Sequence, residues 1–164
     1  MIDESFKILK REEPVTLWVH PDGPVKGAFF LQEQSDRSDR PEHPIEVLNR
    51  DHPFVVLHCH DPDETRFYGK RAIVRVHHEP MTGETESSDL TIIPCEFRLM
   101  DGSSVAGSIR EFLLPEHRRL FDYLNQRGEP FLRVHLEDGS ICLINKAYIV
   151  QALEHGDEHE GSSD

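Results

Sequence analysis

Pro53-Phe54-Val55-Val56-Leu57-His58 and Pro130-Phe131-Leu132-Arg133-Val134-His135 read as one strand written twice, and the chain around them repeats in the same order. Each is preceded by Leu-Asn, at Leu48-Asn49 and Leu124-Asn125, and before that by Pro-Glu-His, at Pro41-Glu42-His43 and Pro115-Glu116-His117. Downstream, Gly69-Lys70-Arg71-Ala72-Ile73-Val74 aligns with Asn145-Lys146-Ala147-Tyr148-Ile149-Val150. Upstream, the turn Asp22-Gly23 with Gly27 corresponds to Asp101-Gly102 with Gly107. Equivalent positions lie about 76 to 80 residues apart, a period long enough to hold a whole small unit. Duplication of one unit is therefore expected.

Each unit reads as strands around one short helix. Val15-Thr16-Leu17-Trp18-Val19 alternates at period two, stops at Pro21-Asp22-Gly23, and returns from Val25 to Leu31. Its counterparts, Cys95 to Leu99 and Val105 to Ile109, flank Asp101-Gly102, where glycine supplies the positive φ of a tight hairpin turn. Pro115 suits the first turn of a helix, Leu120, Phe121 and Leu124 are expected on its buried face, and Asn125 with Gly128 marks its stop. In the first copy Pro44 limits the equivalent to a 3₁₀ or irregular turn near Ile45. In the third strands, Val55, Leu57 and Cys59, and Leu132, Val134 and Leu136, share the core face. Two further strands close each unit, around Thr65 to Tyr68 with Ala72 to Val76, and around Ile141 to Ile144 with Ala147 to Leu153.

The expected fold is mainly β: two tandem small barrels of the SH3-like or Sm-like kind, each with about five antiparallel strands and one short helix. Residues 1–13 form an N-terminal extension, 14–78 the first repeat, 79–88 a polar linker, 89–153 the second repeat, and 154–164 a disordered acidic tail. The polar stretch from Gln32 to Arg40 is expected to be a mobile loop within the first repeat.

The chain has 164 residues, of which 37% are hydrophobic, and a formal net charge of −13 from 18 basic and 31 acidic side chains. Such a balance repels polyphosphate and anionic membrane surfaces, so neither nucleic acid nor membrane is an expected partner. The charged start Met1-Ile2-Asp3-Glu4-Ser5-Phe6-Lys7 is unlike a signal peptide, and no apolar run is long enough to span a bilayer, which suggests a cytoplasmic protein. Cys59, Cys95 and Cys142 form no CxxC pair, so they are read as small apolar strand residues.

Catalytic motifs are missing from the sequence: it has no GxSxG elbow, no HExxH helix and no phosphate-cradling glycine loop. No enzyme activity, cofactor or metal is assigned. His58 and His60 share a strand face and could reach one zinc ion if His77 or His78 supplied a third ligand, with Cys59 pointing the other way. Solvent-facing strand histidines are the plainer reading. A PilZ-type nucleotide site has the RxxxR spacing at Arg71 and Arg75, but its second element, Asp101 to Gly107, is one residue too long.

Lys70, Lys146, Asn145 and the pair Asn49 and Asn125 are the polar residues that recur in both units. A structural role at strand bends is expected of them, with a binding loop as the functional alternative. Trp18, Phe29 and Phe30 stand where the second copy has smaller or aliphatic residues, and successive Phe29 and Phe30 must point to opposite faces of their strand. These aromatic residues point to an interface.

The succession of Asp-Gly hairpin, Leu-Asn, Pro-Phe-Leu and Ile144-Asn145-Lys146-Ala147-Tyr148-Ile149 resembles a bacterial family of small SH3-like or Sm-like β-domains of unknown function. The resemblance covers the second copy well, and the first copy departs from it at Gly69. It implies fold and not activity. The function expected is a non-catalytic binding or scaffolding module that engages a protein partner or itself. The alternatives are an Sm-like RNA-binding protein and a metal-dependent enzyme using His58 and His60.

Overall fold

The computed structural model describes residues 10–35, 40–81, 89–126 and 128–155. Gly23 and Gly102 sit at φ of +91° and +89°, the left-handed backbone that their Asp-Gly turns require. They join β1 (Lys10–Val19) to β2 (Gly23–Gln32) and β6 (Thr91–Leu99) to β7 (Ser104–Glu111). The remaining elements are α1 (Pro44–Leu48), β3 (Phe54–His60), β4 (Asp63–Gly69), β5 (Ile73–His78), α2 (Leu120–Leu124), β8 (Phe131–Leu136), β9 (Ile141–Asn145) and β10 (Ile149–Glu154). Single 3₁₀ turns at Lys70–Ala72 and Lys146–Tyr148 lead into β5 and β10, and a third stands at Pro115–His117.

All ten strands belong to one antiparallel sheet in the order β10-β6-β7-β8-β9-β5-β1-β2-β3-β4. The first five strands, ordered β5-β1-β2-β3-β4, and the last five, ordered β10-β6-β7-β8-β9, follow the same permutation. The strands thus form a single continuous sheet, not clearly the two tandem barrels expected. β5 pairs with β9 through Arg75–Ile144, Val76–Leu143, His77–Cys142 and His78–Ile141. The physical reason lies in β9, where all five residues from Ile141 to Asn145 are buried. A strand apolar on both faces needs packing on both and a hydrogen-bonded neighbour on each edge.

Alternation along β9 divides its side chains between two cores. Ile141 and Leu143, with Phe131 of β8, join the cluster built on Leu17, Phe29, Leu31, Leu57, Ile73 and Val76. Cys142 and Ile144 join the cluster of Ile93, Phe97, Leu99, Ile109, Leu132 and Val134, to which β5 adds Val74. Each core thus borrows residues across the β5–β9 seam.

Aligned positions also share backbone contacts. The Lys70 and Lys146 amides donate to the Pro53 and Pro130 carbonyls at 2.8 and 2.9 Å, and the His20 and Met100 amides donate to the Ala72 and Tyr148 carbonyls at 2.8 and 2.9 Å. Gly27 and Gly107 are pressed against the next strand at His58 and His135, leaving no room for a Cβ at either position.

Several expectations change. The charged run from Lys10 to Glu13 belongs to β1 and pairs along β2 to Gln32, because its outward positions tolerate charge at the end of a long hairpin. The short turn expected near Ile45 is α-helical, and not 3₁₀ or irregular, with Pro44 at its start, since a missing N–H costs nothing at the first helical position. Phe121 is 76% exposed, and the face α2 buries consists of Leu120 and Tyr123 with Leu124 alongside. β10 extends to Glu154, whose carboxylate accepts the Leu120 amide at 2.9 Å, so the tail begins later than the sequence suggests. Residues 36–39 of the expected mobile loop, 82–88 of the linker and 156–164 of the tail lie outside the described residues.

Gly107 tests the close strand crossing. A Cβ there would lie 2.3 Å from the His135 carbonyl oxygen, whereas one at Gly69 would meet only the Phe54 ring at 3.6 Å. Gly107→Ala is expected to cost about 3 kcal/mol by overpacking, and Gly69→Ala to change stability by less than about 1 kcal/mol, both read from urea denaturation.

Candidate functional site

Of the recurring polar residues, Asn49 and Asn145 reach across to the other half of the sheet. Asn49 ends α1 and its side chain reaches β8, accepting the Phe131 amide at 2.9 Å and donating to the Phe131 carbonyl at 3.2 Å. One amide side chain thereby meets both backbone groups of a residue at the end of that strand, and its Nδ2 also donates to Glu129 at 3.0 Å. Asn145 works in the opposite direction. Its buried side chain donates to the Lys70 and Ile73 carbonyls at 3.2 and 3.0 Å and accepts the Ala147 amide at 3.0 Å. The Tyr148 hydroxyl adds a bond to the Arg71 carbonyl at 3.0 Å.

Their aligned partners do something else. Asn125 is exposed and donates to Phe121 of its own helix at 2.7 Å, and Gly69 stands where Asn145 has its counterpart. Lys70 is buried with its ammonium on the Arg50 carbonyl at 2.8 Å, and burial followed by the Arg50 charge pushes its pKa down. Lys146 is half-buried and its pKa is likewise lowered by burial.

The aromatic candidates separate too. Phe29 is sealed in the first core, while Trp18 packs beside the second, with the Arg75 guanidinium 4.2 Å over its ring and the His77 ring 4.5 Å away. Phe30 is half-buried and stacks on His58 at 5.7 Å with an interplanar angle of 15°.

A cleft of about 940 Å³ opens between α1 and β8 and is lined by Arg40, Glu46, Glu111, Glu129 and Arg133 among others. Much of its charge is already engaged. Glu46 receives Arg40 and Ser35 at 2.5 Å each, and although burial raises its pKa, these hydrogen bonds outweigh burial and hold it below the usual value. Glu111 accepts the Tyr123 hydroxyl at 2.6 Å, and burial raises its pKa.

On the outer face, His58 lies between two carboxylates. Its Nδ1 is 2.8 Å from Glu12 Oε1, and its Nε2 is 2.6 Å from Asp63 Oδ1. These hydrogen bonds, first from Asp63 and then from Glu12, raise its pKa. The His60 ring is 4.4 Å from that of His58, with Nε2 3.2 Å from the same Glu12 oxygen. The third group beside the histidine pair is therefore Glu12, not His77 or His78. His77 is turned onto Trp18, and buried His78 points its Nδ1 at the Glu79 carbonyl at 2.7 Å. Glu12 falls in the N-terminal extension expected from the sequence, but the structure places it in β1. The run from Lys10 to Glu13 is charged at every position, so no apolar-polar alternation marks it as strand.

No protein-family model, curated protein or solved structure matches the chain.

Asn49→Ala leaves the Phe131 backbone unpaired at the seam. A loss of about 1–3 kcal/mol is expected, with faster amide exchange at Phe131 as the local readout.

The two histidines act on stability in adjacent pH windows. Burial, then the Arg75 charge, lowers the His77 pKa from 6.5 to about 4, so between these values the unfolded chain takes a proton that the folded one refuses. Stability from this group is full above pH 6.5 and falls on acidification. His58 has a raised pKa, so its contribution is full below 6.5 and is lost as pH rises through the folded value. Denaturation midpoints measured from pH 8 to 5 are expected to lose their acid-side fall in His77→Phe and to show a smaller alkaline-side fall in Asp63→Asn, where Glu12 still holds His58.

Proposed function

We propose that the protein is a non-catalytic scaffolding module, two copies of a small barrel-like unit fused through one sheet, which self-associates head to tail by adding β4 of one molecule to β10 of the next. One observation carries this reading: the apolar residues that seal the internal seam have aligned counterparts left exposed at the two ends of the sheet. Phe131 and Leu143 are 2% and 0% exposed, but Phe54 and Phe67 at the aligned positions are 60% and 69% exposed. Ile45 of α1 packs on the first core, whereas its counterpart Phe121 of α2 stands in solvent.

The two ends complement each other. Phe54 and Val56 alternate on β3, with Val56 opposite Phe67 on β4, so all three form one apolar patch on β3 and β4, the latter a strand that has no outer neighbour among the described residues. At the other end, Phe121 is exposed on α2, whose Leu120 amide rests on Glu154 of β10, and among the described residues β10 has no outer neighbour. By the seam's own register, Ala152 of one copy falls opposite Phe67 of the next, as Val76 falls opposite Leu143. An exposed strand edge with adjoining apolar surface is a template for strand addition. Because the two surfaces differ, the contact is heterologous and propagates. The net charge of −13 opposes close approach, so association strengthens with added salt.

Light scattering tests this directly. The wild-type chain is expected to exceed its 19.0 kDa monomer mass at raised concentration and salt. Phe67→Asp and Phe121→Asp, both at exposed positions, should each be monomeric alone, and their mixture should form a dimer through the one intact end of each. A monomeric wild type, or loss of assembly in only one of the two variants, overturns the reading.

A further inference from the structure

We propose that Glu12, His58 and His60 bind a divalent transition-metal ion of the zinc type, with Asp63 orienting His58 behind the metal. This site is independent of the self-association reading. His58 and His60 occupy positions i and i+2 of β3, so both imidazoles leave the same face of the strand, and buried Cys59 between them turns into the core. β1 supplies Glu12 across that face. The three candidate ligand atoms lie within 4.8 Å of one another. Tetrahedral coordination with Zn–N and Zn–O bonds of about 2.0–2.1 Å places ligand atoms about 3.3 Å apart. The Glu12 oxygen already stands 2.8 Å from His58 Nδ1 and 3.2 Å from His60 Nε2, so a small outward shift of an exposed carboxylate makes room for the ion.

The surroundings match what a metal-ligating histidine needs. Coordination through Nδ1 leaves the His58 Nε2–H to donate to Asp63, 2.6 Å away, which is the carboxylate–histidine–metal arrangement that fixes tautomer and ring orientation. Phe30 stacked on the His58 ring restricts its rotation further. Two neutral imidazoles and a carboxylate favour a borderline cation such as Zn²⁺, Co²⁺ or Ni²⁺ over Mg²⁺ or Ca²⁺, which prefer oxygen donors. Three protein ligands leave the fourth position to water.

Titration of the full chain, made without a histidine tag, with Zn²⁺ or Co²⁺ alone tests the assignment. One ion per chain is expected, with a Co²⁺ visible spectrum of tetrahedral N/O coordination lacking a thiolate charge-transfer band, and with shifted His58 and His60 imidazole resonances. Glu12→Gln and His60→Ala alter exposed side chains. Each should abolish that spectrum, while Asp63→Asn should weaken affinity about 10-fold or more, and His155→Ala should change nothing. Thermal melts confirm that each variant is folded. Absence of binding at hundred-micromolar metal, binding that survives Glu12→Gln and His60→Ala, or binding lost with His155→Ala would each overturn the proposal.

Discussion

Everything in this molecule depends on the pairing of β5 with β9. Along that seam both strands feed two different cores: β9 gives Ile141 and Leu143 to one and Cys142 and Ile144 to the other, and β5 gives Ile73 and Val76 to the first and Val74 to the second. A half of this size buries little apolar area and is marginal by itself. Sharing a wall lets each half finish its core with residues of the other.

The polar residues at the seam explain why recurrence in a sequence need not mean a shared role. Asn49 and Asn145 both satisfy backbone groups across the seam, one at the end of β8 and the other on the turn that leads into β5. Neither bond is made by the aligned residue of the other half, because the seam uses one end of each unit once. Asn125 caps its own helix, and at Gly69 no side chain exists to reach out. The same asymmetry places Phe54, Phe67 and Phe121 in water while Phe131, Leu143 and Ile45 are covered. A continuous sheet with two unlike ends follows from one joint used once.

The histidines show how far local environment departs from residue type. His77 is stripped of water beside Arg75 and Trp18, which keeps it neutral, whereas His58 is held between Asp63 and Glu12, which favours its charged form. His58 and His60 were legible as a pair from their spacing alone. Glu12 was not, since it is about 46 residues away in the chain and is brought to them only by the β1–β2–β3 arrangement. The cluster needed a long-range contact that no local pattern contains.

The sequence by itself determined the mainly β composition, the two Asp-Gly hairpins and most strand positions, because turn glycines and period-two alternation act on neighbouring residues. It also marked Leu132 and Val134, and Val55 and Leu57, as core-facing, and the structure buries all four. The tertiary structure alone decided that β9 would run beside β5, that charged residues 10–13 would extend a strand, and that Phe121 would leave the buried face of its helix. The physical reason is that backbone N–H and C=O groups are the same on every strand edge. No residue names its neighbour, and the partner is chosen by how completely two distant segments can bury both faces of each other.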